Sequence, residues 1–151
     1  MKSKFSVFLF VLALVGCGDL AVIRESPDAR PGENLIPPEF AGNFFTEICL
    51  VTAPSFDRVP QAISGEPFVR HATTGTYFHK FADLSIKVSD CGCSLVFRSE
   101  MSVDETISGL AAGVQKHAAN WDVVIPRNLN ITSKPSPIST GRYFRIGLPR
   151  T

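Results

Sequence analysis

The fold class follows from residues 84–97, which read LSIKVSDCGCSLVF. Apolar residues fall at 84, 86 and 88 and again, more weakly patterned, at 93, 95 and 97. Side chains along a strand point alternately to its two faces, so this period of two predicts two half-buried strands. Between them the sequence SDCG offers a turn, because glycine tolerates positive φ and aspartate bonds its own backbone. We therefore predict an antiparallel hairpin.

A long helix should follow the hairpin. Ser102 and Glu105 have the spacing of a capping box, and apolar residues at 103, 107, 110, 111, 114 and 118 then share one helical face. We predict that this helix ends near Ala119. Gly109 and Gly113 stand four residues apart and would let another element approach its backbone closely. Helix-on-sheet packing is the simplest reason for that pair.

Upstream, aromatic and aliphatic residues at 40, 44, 45, 48 and 49 recur at helical spacing until Pro54, which predicts a first helix over about 39–52. A second short helix is predicted from an Asp57 cap to Gly65. Downstream we expect a short strand at 123–125, a polar loop over 127–140 and a last strand over 143–146. A loop of that length is a candidate partner surface.

The predicted fold is therefore α+β: one domain, 39–151, with a small, mostly antiparallel sheet packed against two to three helices and tied by one disulfide. The run RYFR at 142–145 mixes basic and aromatic residues as a nucleic-acid contact does, yet an alternating strand has the same pattern. Without a concentrated run of positive charge, we expect no nucleic-acid partner.

The N-terminus has the features of an export signal. Lys2 and Lys4 are followed by an apolar run, 5–15, that is too short to cross a bilayer as a helix, and Gly16 precedes Cys17. The segment LVGC at 14–17 resembles the lipobox of bacterial lipoproteins. The resemblance covers only residues 1–17 and implies that 1–16 is a signal peptide, that cleavage precedes Cys17, and that Cys17 carries the lipid.

That resemblance predicts a protein on the periplasmic side of the bacterial cell envelope, attached to a membrane by its lipid. Gly18, rather than an aspartate, follows Cys17, which favours the outer membrane in families that have two membranes. Residues 17–38 carry four prolines and no sustained periodicity, so we predict a Pro-rich tether that spans up to ~60 Å when extended.

Three cysteines remain after Cys17. Cys91 and Cys93 are too close in sequence to pair without strain, so Cys49 should bond one of them. Cys93 shares the apolar face of its strand, so we favour Cys49–Cys93 and keep Cys91 as the alternative partner. A different hypothesis gathers Cys49, Cys91 and Cys93, with His71 or His79, around zinc or copper(I), although the spacing is non-standard.

The sequence contains no G-x-S-x-G, H-E-x-x-H or S-x-x-K signature, and its histidines are isolated from one another. We therefore assign no catalytic residue, cofactor or metal. The leading hypothesis is a non-catalytic module that binds a protein or another envelope component. The alternatives are an enzyme of unrecognised type that acts on envelope material, and the thiol or metal site.

Overall fold

The structure is a computed structural model that describes residues 23–150. The predicted signal peptide and the predicted lipid site at Cys17 lie outside these residues. The chain forms seven strands and three α-helices, listed in order of sequence: β1 (Glu25–Ser26), α1 (Pro38–Phe45), α2 (Val59–Ala62), β2 (Phe68–His71), β3 (Tyr77–His79), β4 (Leu84–Ser89), β5 (Gly92–Ser99), α3 (Val103–Asn120), β6 (Asn130–Pro135) and β7 (Arg142–Pro149). A π-helical turn, Thr46–Leu50, continues α1.

All seven strands belong to one sheet, with the order β1-β2-β3-β4-β5-β7-β6. Every pairing is antiparallel except β1 with β2. The predicted hairpin is β4–β5, in which Leu84 pairs with Phe97 and Ser89 with Gly92. Gly92 takes a φ of 138° at the turn, which side chains other than glycine rarely adopt. The predicted α+β fold with a mostly antiparallel sheet is confirmed.

The helices pack against one face of the sheet. Side chains from α1, the π-helical turn, α2 and α3 share one buried cluster with the alternate strand residues 84, 86, 93, 95, 97, 144, 146 and 148. A disulfide joins Cys49 of the π-helical turn to Cys93 of β5, with a Cα–Cα distance of 5.6 Å. The single disulfide of the predicted fold therefore ties the helical layer to the centre of the sheet.

The glycines of α3 are used differently from our prediction. Gly113 faces α1, where an added Cβ would lie 2.1 Å from the carbonyl oxygen of Glu39. Gly42 of α1 makes the reciprocal approach, since its Cβ would lie 2.4 Å from the carbonyl oxygen of Leu110. The close contact is therefore between two helices, and the predicted helix-on-sheet contact was wrong. The sequence pattern marked the close approach without revealing its partner.

The C-terminal part of the domain needs a larger correction. The predicted loop over 127–140 contains β6, whose six residues pair with β7 along their whole length, whereas 123–125 forms no strand. In β6 only Ile131 and Ser133 are partly buried and the other four residues are exposed. An edge strand with so little burial lacks the apolar alternation that reveals a strand, and Pro135 at its end resembles a loop signal.

The predicted tether also differs from the structure in its described part. Residues 23–37 lie against the domain: β1 pairs with β2, and the Gly32 and Asn34 amides donate to the carbonyls of His79 and Phe81. We call this docked segment, residues 23–37, the N-terminal arm. Its proline-rich composition indicated an extended chain, and that chain gains partners at the sheet edge. No helix within 23–150 is long and apolar enough to span a bilayer.

Candidate binding face and recess

The face of the sheet opposite the helices presents a row of side chains. Strand register places one residue from each of six adjacent strands in line: Val69, Phe78, Ser85, Val96, Arg145 and Thr132. Their neighbours two positions along each strand point the same way. We call this the outward face. The four residues of the row on β2 to β5 are partly exposed, and the last two are exposed, so this face is available to a partner.

A recess interrupts the outward face near the β4–β5 turn. The next row contains Lys87, Ser94, Gly147 and Asn130, and Gly147 leaves a gap in it because it has no side chain. The resulting cavity of about 260 Å³ is lined by Ser89, Cys91, Gly92, Cys93, Asn128, Asn130, Thr132, Arg145, Gly147, Leu148 and Pro149. We call it the Gly147 recess. Because Cys93 and Leu148 turn their side chains to the core, we infer that they contribute mainly backbone.

The outward face carries unpaired positive charge. Lys87, Lys134 and Arg145 are exposed, and none has a carboxylate within 4 Å among residues 23–150. These residues are far apart in sequence, so no basic run announces them. Strand pairing brings them to one surface, and the near-neutral net charge of the chain does not describe that surface.

Arg98, on the same face, is fully engaged. Its Nε donates to Asp83 at 2.8 Å, and its terminal nitrogens donate to the carbonyls of Glu33 and Thr140 at 3.3 and 3.2 Å. The Tyr143 hydroxyl donates to the same Asp83 carboxylate at 3.2 Å. Burial, followed by the negative charge of Asp83, raises the pKa of Tyr143. This cluster fastens the N-terminal arm and the β6–β7 loop to the sheet, which is a structural role.

The cysteines do not meet as the metal hypothesis requires. Cys49 and Cys93 are bonded to each other, so neither sulfur is a free thiolate, and Cys91 is exposed at the hairpin turn. No cluster of three or more potential ligands occurs in the part of the chain that the structure describes. The hypothesis of a zinc or copper site at Cys49, Cys91 and Cys93 therefore loses two of its three sulfur ligands.

The histidines are separated as the sequence suggested. His71 accepts hydrogen bonds from two backbone amides of its own turn, and His117 contacts Glu47 at 2.5 Å. The His79 Nδ1 accepts hydrogen bonds from the Phe81 and Ala82 amides at 3.3 and 2.9 Å. Burial lowers the pKa of His79, and an acceptor at Nδ1 likewise requires the unprotonated ring. None of the three lines the Gly147 recess.

Sequence reasoning missed the residues of the recess. Asn130 and Thr132 were placed in a loop, and Arg145 was noticed only as part of an alternating strand. One signal was present: Gly147 breaks the apolar and polar alternation of β7 inside an otherwise regular strand, where glycine weakens the strand and marks a close approach or an opening. The partners across the gap come from other strands, so the sequence alone does not identify them.

No protein-family model matches this chain, and neither a curated protein nor a solved structure is significantly similar to it.

Proposed function

We propose that this protein is a non-catalytic binding module of the bacterial cell envelope, held to a membrane on the periplasmic side by lipid on Cys17, and that it binds its partner through the outward face. The observation that carries the proposal is the combination of an uncovered sheet face, unpaired cationic side chains and a recess on that face. A sheet needs only one buried face for stability, so the second face is free to bind. The partner is a protein or another envelope component with complementary negative charge.

An enzyme is not the function that this site favours. The Cys91 thiol is the most reactive group of the recess, and the lining residues include no histidine, aspartate or glutamate to activate it. Arg145 supplies charge and hydrogen bonds, which suit recognition. Positioned donors without a nucleophile and base pair fit a binding site better than a reaction centre.

The binding face is tested by photo-cross-linking in intact cells. A photoreactive phenylalanine replaces Thr132 on the outward face, and the matched control replaces Gln115, an exposed residue of α3 on the helical side. We expect a discrete product of higher mass from position 132 that is absent from position 115. Monomer alone at position 132 across varied growth conditions, or equal products at both positions, would contradict the proposal.

The anchor is tested separately by metabolic labelling with an alkyne fatty acid and by intact mass. The full chain should incorporate the label, Cys17→Ser should not, and Cys91→Ser should be labelled like the parent. An unlabelled parent chain would refute the lipid anchor without affecting the binding-face experiment.

A further inference from the structure

The polar side chains of the Gly147 recess can all donate hydrogen bonds. Arg145 contributes the guanidinium, Asn128 and Asn130 contribute amides, and Thr132 and Ser89 contribute hydroxyls. No carboxylate lines the recess. A site with one fixed positive charge, four neutral donors and no negative group lowers the energy of an anion and disfavours a cation.

The guanidinium of Arg145 is available for a ligand. It is exposed, it forms no ion pair among residues 23–150, and none of the side-chain hydrogen bonds found there involves it. Arg98 on the same face shows the contrasting state, since its guanidinium is occupied by carboxylate and carbonyl oxygens. A planar guanidinium matches the two oxygens of a carboxylate or a phosphate group.

The floor of the recess points to selection for open space. Gly92 takes a positive φ and therefore needs glycine, whereas Gly147 has no such backbone requirement. A Cβ at Gly147 would lie 3.7 Å from the Cβ of Ser94, which is an ordinary contact. Alanine would therefore fit and would strengthen the strand by about 0.5–1 kcal/mol. Neither backbone conformation nor packing explains glycine here, but a recess that must stay open does.

From these observations we infer that the Gly147 recess binds an oxyanion, a carboxylate or a phosphate group, with Arg145 as its cationic partner. A volume of about 260 Å³ is below the roughly 300–1,000 Å³ of pockets that hold whole small molecules. The recess therefore takes one charged group of a larger ligand, whose remainder lies along the outward face. This inference rests on the proposed function, because it assigns a ligand chemistry to the same face.

The test measures two small anions and a neutral analogue on the full chain in detergent micelles. Acetate, methylphosphonate and acetamide each carry one methyl group, so saturation-transfer NMR reads all three in the same way. We expect saturable binding of at least one anion and no saturable binding of acetamide. Tighter binding of acetate identifies a carboxylate ligand, and tighter binding of methylphosphonate identifies a phosphate ligand. Equal binding of acetamide, or no saturable binding of either anion, would overturn the inference.

Two variants connect binding to the recess. Arg145→Gln should weaken the anion about tenfold or more, because it removes a charge-assisted hydrogen bond. Gly147→Val keeps the charge but fills the floor, and it should weaken the anion comparably. The control Lys134→Gln removes a cation of the same face outside the recess and should change affinity less than about twofold. An unchanged affinity in Arg145→Gln, with an unchanged thermal midpoint, would refute the role of Arg145.

The outcomes separate this inference from the proposed function. Anion binding without a cross-link at position 132 would leave the recess as an anion site and remove the macromolecular partner. A cross-link without anion binding would keep the binding face and overturn the assignment of its ligand chemistry.

Discussion

Substitution of Gly113 by alanine tests the packing of the two main helices. In an exposed helix, Gly→Ala stabilises by about 1 kcal/mol through propensity. At Gly113 the new Cβ would lie 2.1 Å from the carbonyl oxygen of Glu39. An ordinary contact exceeds 3 Å, so α1 must move by about 1 Å, and overpacking of this kind costs typically 1–3 kcal/mol. Backbone atoms cannot rotate away, which places the cost at the upper end of that range. We therefore expect a net destabilisation of about 2 kcal/mol.

Gly109→Ala is the matched control, since it lies one turn earlier on the same helix and has the same gain in propensity. Its Cβ would lie 3.1 Å from the Cβ of Pro38, so a shift of a few tenths of an ångström suffices. We expect this variant to range from neutral to about 1 kcal/mol more stable. Urea unfolding of the chain from residue 18 should show a midpoint lower by about 1 M for Gly113→Ala, with an unchanged slope. Equal midpoints for the two variants would refute the close helix contact.

Three further predictions concern the disulfide, a histidine and a helix cap. Replacing Cys49 and Cys93 together by serine should lower the free energy of unfolding by about 4 kcal/mol, because the bridge closes a loop with a sequence separation of 44 residues; denaturant unfolding measures this, and a loss under about 1 kcal/mol would contradict a bridge that constrains the unfolded chain. The lowered pKa of His79 means that its contribution to stability is present above the unfolded-state pKa of 6.5 and is lost as pH falls through the folded-state value; thermal midpoints should fall from pH 7.5 to 5 and fall less in His79→Gln, and identical pH slopes would exclude the histidine as the cause. Ser102→Ala removes the acceptor for the Glu105 amide and should cost about 1 kcal/mol; chemical unfolding beside Ser108→Ala, an exposed site in the same helix, isolates the cap, and equal losses would argue against it.

The parts of the fold that sequence predicted are those with local signals. The β4–β5 hairpin has apolar alternation and a turn with glycine at its end. The α3 helix has an apolar stripe, and Ser102 and Glu105 form the capping box that their spacing indicated. In both cases the residues that define the element are close in sequence. Neither element depends on a distant partner for its pattern.

The missed elements depend on distant partners. β2 and β3 contain four and three residues, too few to establish a period. β6 is polar because an edge strand buries little, and only its pairing with β7 makes it a strand. The recess combines Ser89, Asn130 and Arg145 from three strands. A single sequence contains no information that places those residues together.

The N-terminal arm also determines how far the domain can stand from a membrane. The described chain begins at Ile23, and β1 holds the arm to the edge of the sheet. In the proposed anchored form, six peptide units separate the lipid-bearing Cys17 from Ile23, so the leash spans at most about 20 Å. The tether predicted from sequence would have allowed about three times that distance. Binding is then confined to a thin zone next to the bilayer. The domain must meet its ligand there, because it cannot search the depth of the periplasm.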